Sequence, residues 1–155
     1  MRLTKSALLA LAAGLVAEPT LAQSREPHLV MSGVGRFAVF VDLSTREATD
    51  QQVRIRTLQV AEPGFQVEGQ PYWGGWSWWM FDCAERTADR LDFASILEGG
   101  IEGPVVADPQ PAFPASPGGD AAEVLGLACA TEAPDTPVFT SVEDAVAEGR
   151  RQMLL

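Results

Sequence analysis

Cys83 and Cys129 are the only cysteines in the chain and stand 46 positions apart. A bond between them ties two distant segments into one unit, so the redox compartment decides much of the fold. The N-terminus points to an oxidising compartment. Arg2 and Lys5 form a short positive region, and Ala7 to Val16 is uncharged and mostly apolar. Pro19 then breaks any helix, and Thr20-Leu21-Ala22 puts small residues where a signal peptidase reads. This is the three-part layout of a secretory signal. The apolar run is too short to persist as a membrane span, which needs about 20 residues. Residues 1–22 are therefore expected to be a cleavable signal peptide, with no membrane span after cleavage and a periplasmic or secreted destination. No cysteine directly follows the apolar run to carry a lipid. In such a compartment two cysteines allow one intramolecular pairing, Cys83–Cys129. Closing a loop of that size stabilises by about 4 kcal/mol in the chain-entropy picture.

The rest of the 155 residues is one domain's worth of chain. Residues 23–34 read as an entry segment in which His28 to Ser32 begins a strand. Phe37 to Asp42 is β-branched and aromatic and reads as a strand; Ser44 to Gln51 is polar and turn-like. Val53 to Val60 alternates, with Val53, Ile55 and Thr57 on one face and Arg54 and Arg56 on the other. Pro63-Gly64 marks a turn and Gly69 to Gly75 a loop. Trp76 to Cys83 is a third strand. Arg90 to Ala94 is a fourth, with Leu91 and Phe93 inward, and Val105-Val106 an edge segment. Pro109, Pro111, Pro114 and Pro117 keep the next stretch a loop. Asp120 reads as an N-cap with Glu123 completing the box, ahead of a helix over Ala121 to Ala130 that carries Cys129. Ser141 opens a second capping pattern before a helix from Val142 to Met153. Its acidic start and basic end suit the helix dipole.

Formal charge is −10, with the acidic residues scattered. A chain this acidic repels nucleic acid and anionic lipid surfaces, so neither is an expected partner. There is one histidine, His28. With both cysteines oxidised, a zinc site lacks its three or four ligands, and nucleophilic catalysis lacks a base pattern around a Ser or Cys. No catalytic residue, metal ligand or cofactor is expected, and the chain does not read as an enzyme.

All four tryptophans fall between positions 73 and 79. On a strand over 76–83, Trp79, Phe81 and Cys83 share the core face. Trp76, Trp78 and Met80 take the other. A second aromatic face needs a cover: a helix of the same chain, a partner subunit or a flat apolar ligand. Trp73, Trp76, Trp78 and Met80 are the candidate binding residues.

Phe81-Asp82-Cys83-Ala84-Glu85-Arg86, Val41-Asp42-Leu43-Ser44 after an apolar strand, and Pro117-Gly118-Gly119 before a short helix ending in Cys129 resemble the surface-adhesin protein E-like family. The resemblance spans roughly residues 35–130. It implies an exported protein with helices packed on an antiparallel sheet, a strand-to-helix disulfide, and adhesion to host matrix proteins. The lipid-attachment cysteine of the anchored members is missing here. The tryptophan cluster and the C-terminal helix fall outside the family pattern.

The expected fold is α+β: an antiparallel β-sheet of about four to six strands, with one or two helices packed on it and one disulfide. Residues 35–130 form the β-rich domain and 131–155 a linker and C-terminal helix. The expected function is a non-enzymatic envelope or secreted module that binds another envelope or extracellular protein. The alternatives are a structural homodimer without ligand and a binder of a flat apolar molecule at the tryptophans.

Overall fold

The computed structural model describes residues 25–155. The expected signal peptide over 1–22 lies outside them. The chain runs β1 (Leu29–Val34), β2 (Ala38–Ala48), β3 (Gln52–Val60), β4 (Gln66–Val67), β5 (Gln70–Asp82), β6 (Thr87–Arg90), β7 (Asp92–Leu97), β8 (Glu102–Ala107), β9 (Phe113–Pro114), α1 (Asp120–Ala128), β10 (Val138–Phe139) and α2 (Val142–Gln152). All pairings are antiparallel. The main order is β10-β1-β2-β3-β5-β6-β9, with β7 beside the first half of β5 and β8 outside β7.

Alternation along β3 sets the layers. Val53, Ile55 and Thr57 are buried on one face, Leu58 and Val60 on the other. One face packs under Val124, Leu125 and Ala128 of α1 together with Val41, Phe81 and Ala88. The opposite face packs under Ala145 and Val146 of α2 together with Phe40, Trp76 and Ile96. The C-terminal segment thus belongs to the same sheet unit, β10 pairing with β1 and α2 capping a core. Ser141 accepts from the Asp144 N–H as its N-cap.

The expected disulfide is present between Cys83 and Cys129. It joins the turn after β5 to the C-cap of α1. Arg46 Nε adds a second tie, donating to Ala128 O at 2.8 Å.

Several local expectations are corrected. Ten strands form in place of four to six, because three of them are only two residues long and the expected fourth strand is split at Leu91 into β6 and β7. Ser44 to Ala48 continues β2 past a bulge, since Thr45 Oγ1 accepts from Arg56 N at 2.9 Å and replaces a ladder bond. Residues 70–75 are strand: a Cβ at Gly74 would lie 1.8 Å from Gln59 O and one at Gly75 2.2 Å from Phe93, so these glycines permit close packing. Arg90 to Ala94 is two strands. The Asp92 carboxylate takes the Trp78 N–H at 2.8 Å, the register slips by one, and Ala94 and Ile96 are buried in place of Leu91 and Phe93. Gly119, not Asp120, is the N-cap of α1, with no side-chain capping bond.

Candidate functional site

Each helix covers only part of its sheet face. On the α1 face, the helix sits over Val53, Ile55 and Phe81 and leaves the Thr57–Ser77 cross-strand pair open. There a cleft of about 560 Å³ forms, within the size range of ligand sites. Its floor is Thr57, Gln59 and Ser77. Trp79, Arg90 and Phe113 line one side, and the start of α1 at Gly119, Asp120 and Ala121 the other. A neighbouring hollow of about 480 Å³ shares Trp79, Arg90 and Phe113 with it.

Local structure fixes these groups. The Trp79 indole Nε1 donates to Thr57 Oγ1 at 3.0 Å, and its ring stacks on Phe81 at 5.7 Å. Phe113 meets Trp79 edge-on at 6.3 Å. The proline-rich segment holds Phe113 in place through β9, whose two residues pair with Thr87 and Ala88 of β6. Arg90 Nε donates to Asp108 Oδ2 at 2.7 Å. That guanidinium, and then the Gln110 N–H, hold the Asp108 carboxyl below its ordinary range. Ser77 is 7% exposed and lines the cleft, where its hydroxyl can donate to and accept from an occupant.

The four residues singled out from sequence lie on the opposite face and do not form one open patch. Trp76 is 4% exposed, packed with Leu58, Val60 and Ala145 beneath α2. Trp73 packs half-buried against the same cluster. Trp78 is half-buried with the Arg54 guanidinium 3.7 Å from its ring centre, and Arg56 lies 4.3 Å from that of Trp76. Two arginines of β3 thus interleave with two tryptophans of β5. Met80 is half-buried at the end of this ladder, opposite Arg54. The expected flat aromatic face is closed by α2 at Trp76 and by Arg54 at Trp78.

Trp79, read from sequence as core, does pack against the core under α1 and also borders the cleft. Ser77, Arg90 and Phe113 were not singled out as site residues from sequence, and Thr57 was read only as one position on a face of its strand. Phe113 alone had a visible signal, as an aromatic residue inside a proline-rich loop. No family model, curated protein or solved structure matches this chain. Its functional reading rests on its own geometry.

Proposed function

We propose that this chain is an exported, non-enzymatic binding module, adhesin-like in role, that works in the periplasm or outside the cell. It seats an extended segment of a partner protein across the Trp79–Phe113 pair. The observation that carries the reading is the cleft itself: two adjoining hollows share one aromatic pair, with Ser77 in the lining of the larger. Spaced hollows on either side of aromatic anchors suit successive side chains of a peptide. Among the described residues of the lining there is no imidazole or thiolate to activate Ser77, which favours binding over acyl chemistry. The Cys83–Cys129 bond fits an oxidising compartment, in line with the N-terminal signal pattern.

The test is selection of binders from a random peptide library, with sites mapped by the Trp79 indole N–H resonance. Selected peptides are expected to shift that resonance. Phe113→Ala should weaken them at least about tenfold, the scale of one aromatic anchor. Peptides that bind without touching Trp79, at unchanged affinity in Phe113→Ala, would remove the proposal.

One observation favours a second reading, the homodimer. Asp108 N donates to Leu91 O, so strand alternation turns the backbone groups of Val105 and Ala107 outward from β8. Val105 and Val106 are themselves more than half exposed. Such an edge can pair with another copy. A monomer mass by light scattering at micromolar concentration eliminates that alternative.

A further inference from the structure

The cleft beside α1 has largely apolar walls and a polar floor. Strand register points Thr57, Gln59 and Ser77 to the face that carries α1, next to Val39. Thr57 is 3% exposed and Ser77 7%, so this floor lies deep. Val39, Trp79, Phe113 and Ala121 line the cleft around it. Thr57 Oγ1 takes the Trp79 indole N–H at 3.0 Å. Beside that bond, the Ser77 hydroxyl and the Gln59 amide can each both donate and accept.

Charge narrows the occupant. None of the three floor residues is ionisable. The charged residues of the lining are Arg90 and Asp120. Arg90 is tied to Asp108, which lines the neighbouring hollow. Asp120 is exposed in the first turn of α1. A charged tip pushed down to the floor would lose its water and meet no counter-ion there. A wholly apolar tip would cover Ser77 and Gln59 and strip them of water, costing at least about fivefold in affinity. Walls and floor together suit a side chain that is aromatic along its length and neutral but hydrogen-bonding at its end. An indole N–H only donates, whereas a phenol donates and accepts, as Ser77 and Gln59 do.

We propose that the cleft seats a tyrosine side chain of the partner segment, its ring against Trp79 and Phe113 and its hydroxyl at Ser77 and Gln59. This rests on the binding-module reading and specifies its anchor. Aromatic rings favour edge-on contacts of the kind Trp79 and Phe113 already make with each other. The volume of about 560 Å³ exceeds one phenol ring and leaves room for the backbone that carries it.

The experiment titrates the oxidised protein with the N-acetyl amides of tyrosine, phenylalanine, tryptophan and 4-carboxyphenylalanine, following the Trp79 indole N–H. The tyrosine amide is expected to shift it saturably and to bind at least about fivefold tighter than the other three. Ser77→Ala should bring the tyrosine amide close to the phenylalanine amide and leave the latter's affinity unchanged; Gln59→Met should act the same way. An unmoved Trp76 indole resonance shows that the core under α2 stays intact in both variants. Equal affinity for tyrosine and phenylalanine overturns the proposal, as does tighter binding of the indole or the carboxylate, or no saturable shift with any amide. Library peptides that bind at Trp79 without a tyrosine also overturn it, while leaving the binding module itself standing.

Discussion

The indole N–H of Trp79 donates to the hydroxyl of Thr57 at 3.0 Å, across the β3–β5 ladder and at the floor of the cleft. Thr57 is 3% exposed, so the bond is sheltered from water and sets the ring that Phe113 meets edge-on. Thr57→Val keeps the shape and removes the acceptor. An unpaired, partly buried indole N–H costs about 1–3 kcal/mol. Urea melts of Thr57→Val, Trp79→Phe and the double variant should show the double costing less than the sum of the singles. Full additivity would mean that the bond contributes nothing.

Trp76 and Trp78 should separate sharply on truncation. Trp76→Ala empties a packed site under α2 and should cost about 3–5 kcal/mol. Trp78→Ala loses partial burial and the Arg54 contact, the latter worth about 0.5–1 kcal/mol. Chemical denaturation of both variants measures the gap. Equal losses would contradict the placement of Trp76 alone in the core.

The disulfide closes the loop between β5 and α1. Replacing both Cys83 and Cys129 with Ser should lower stability by about 2–5 kcal/mol. The loss should appear first as exchange of α1 amides, because this bond and the Arg46 tie hold the helix end. Hydrogen exchange read residue by residue tests the order. Uniform loosening of α1 and α2 would refute it.

Gly149 sits where α2 crosses β2. A Cβ there would lie 2.9 Å from the Ala38 Cβ and 3.1 Å from the Phe40 ring. Gly149→Val should push α2 outward and cost about 1–3 kcal/mol. Gly149→Ala adds the same Cβ against the Ala38 Cβ, which cannot turn away, and should still destabilise, though less than Gly149→Val, because up to about 1 kcal/mol of helix propensity offsets part of the clash. Thermal melts of the two variants decide this.

Acid should loosen the protein through two partly buried carboxylates. Glu148 is held down to about 2 by the Arg151 guanidinium and then by the Gln152 amide. Asp108 is lowered by Arg90 and then by the Gln110 N–H. A carboxyl whose folded pKa is depressed adds stability above its unfolded pKa and loses it as pH falls through the folded value. For Glu148 the window runs from 4.5 down to about 2. Urea midpoints should therefore hold above about pH 5 and fall below it. Glu148→Gln and Asp108→Asn should each flatten the acid limb. An unchanged limb in both would show that these pairs do not bear on folding.

Much of the architecture was legible in the residues. Alternation at Val53, Ile55 and Thr57 gave one face of β3, and the Ser141 cap gave the start of α2. The proline run between Asp108 and Gly119 gave the loop that carries Phe113. The misplacements share a cause. A one-residue slip at Leu91–Asp92 reverses which side chains face inward, and it arises because the Asp92 carboxylate reaches the backbone of Trp78 on another strand. The glycines at 74 and 75 look like a loop in one dimension, yet they answer close approach by Gln59 and Phe93. The cleft was invisible for the same reason: Thr57, Ser77, Arg90 and Phe113 come from four strands, β3, β5, β6 and β9.

The amino-acid sequence by itself determined the strand periodicity, the two helices, the second with dipole-matched ends, and a cysteine pair able to join a strand to a helix. These are local properties or a choice among one pairing. Tertiary structure alone decided that α1 and α2 cover different parts of opposite faces, burying Trp76 and leaving the Thr57–Ser77 floor open. That outcome depends on bulge register and helix docking, which arise from contacts between residues far apart in the chain.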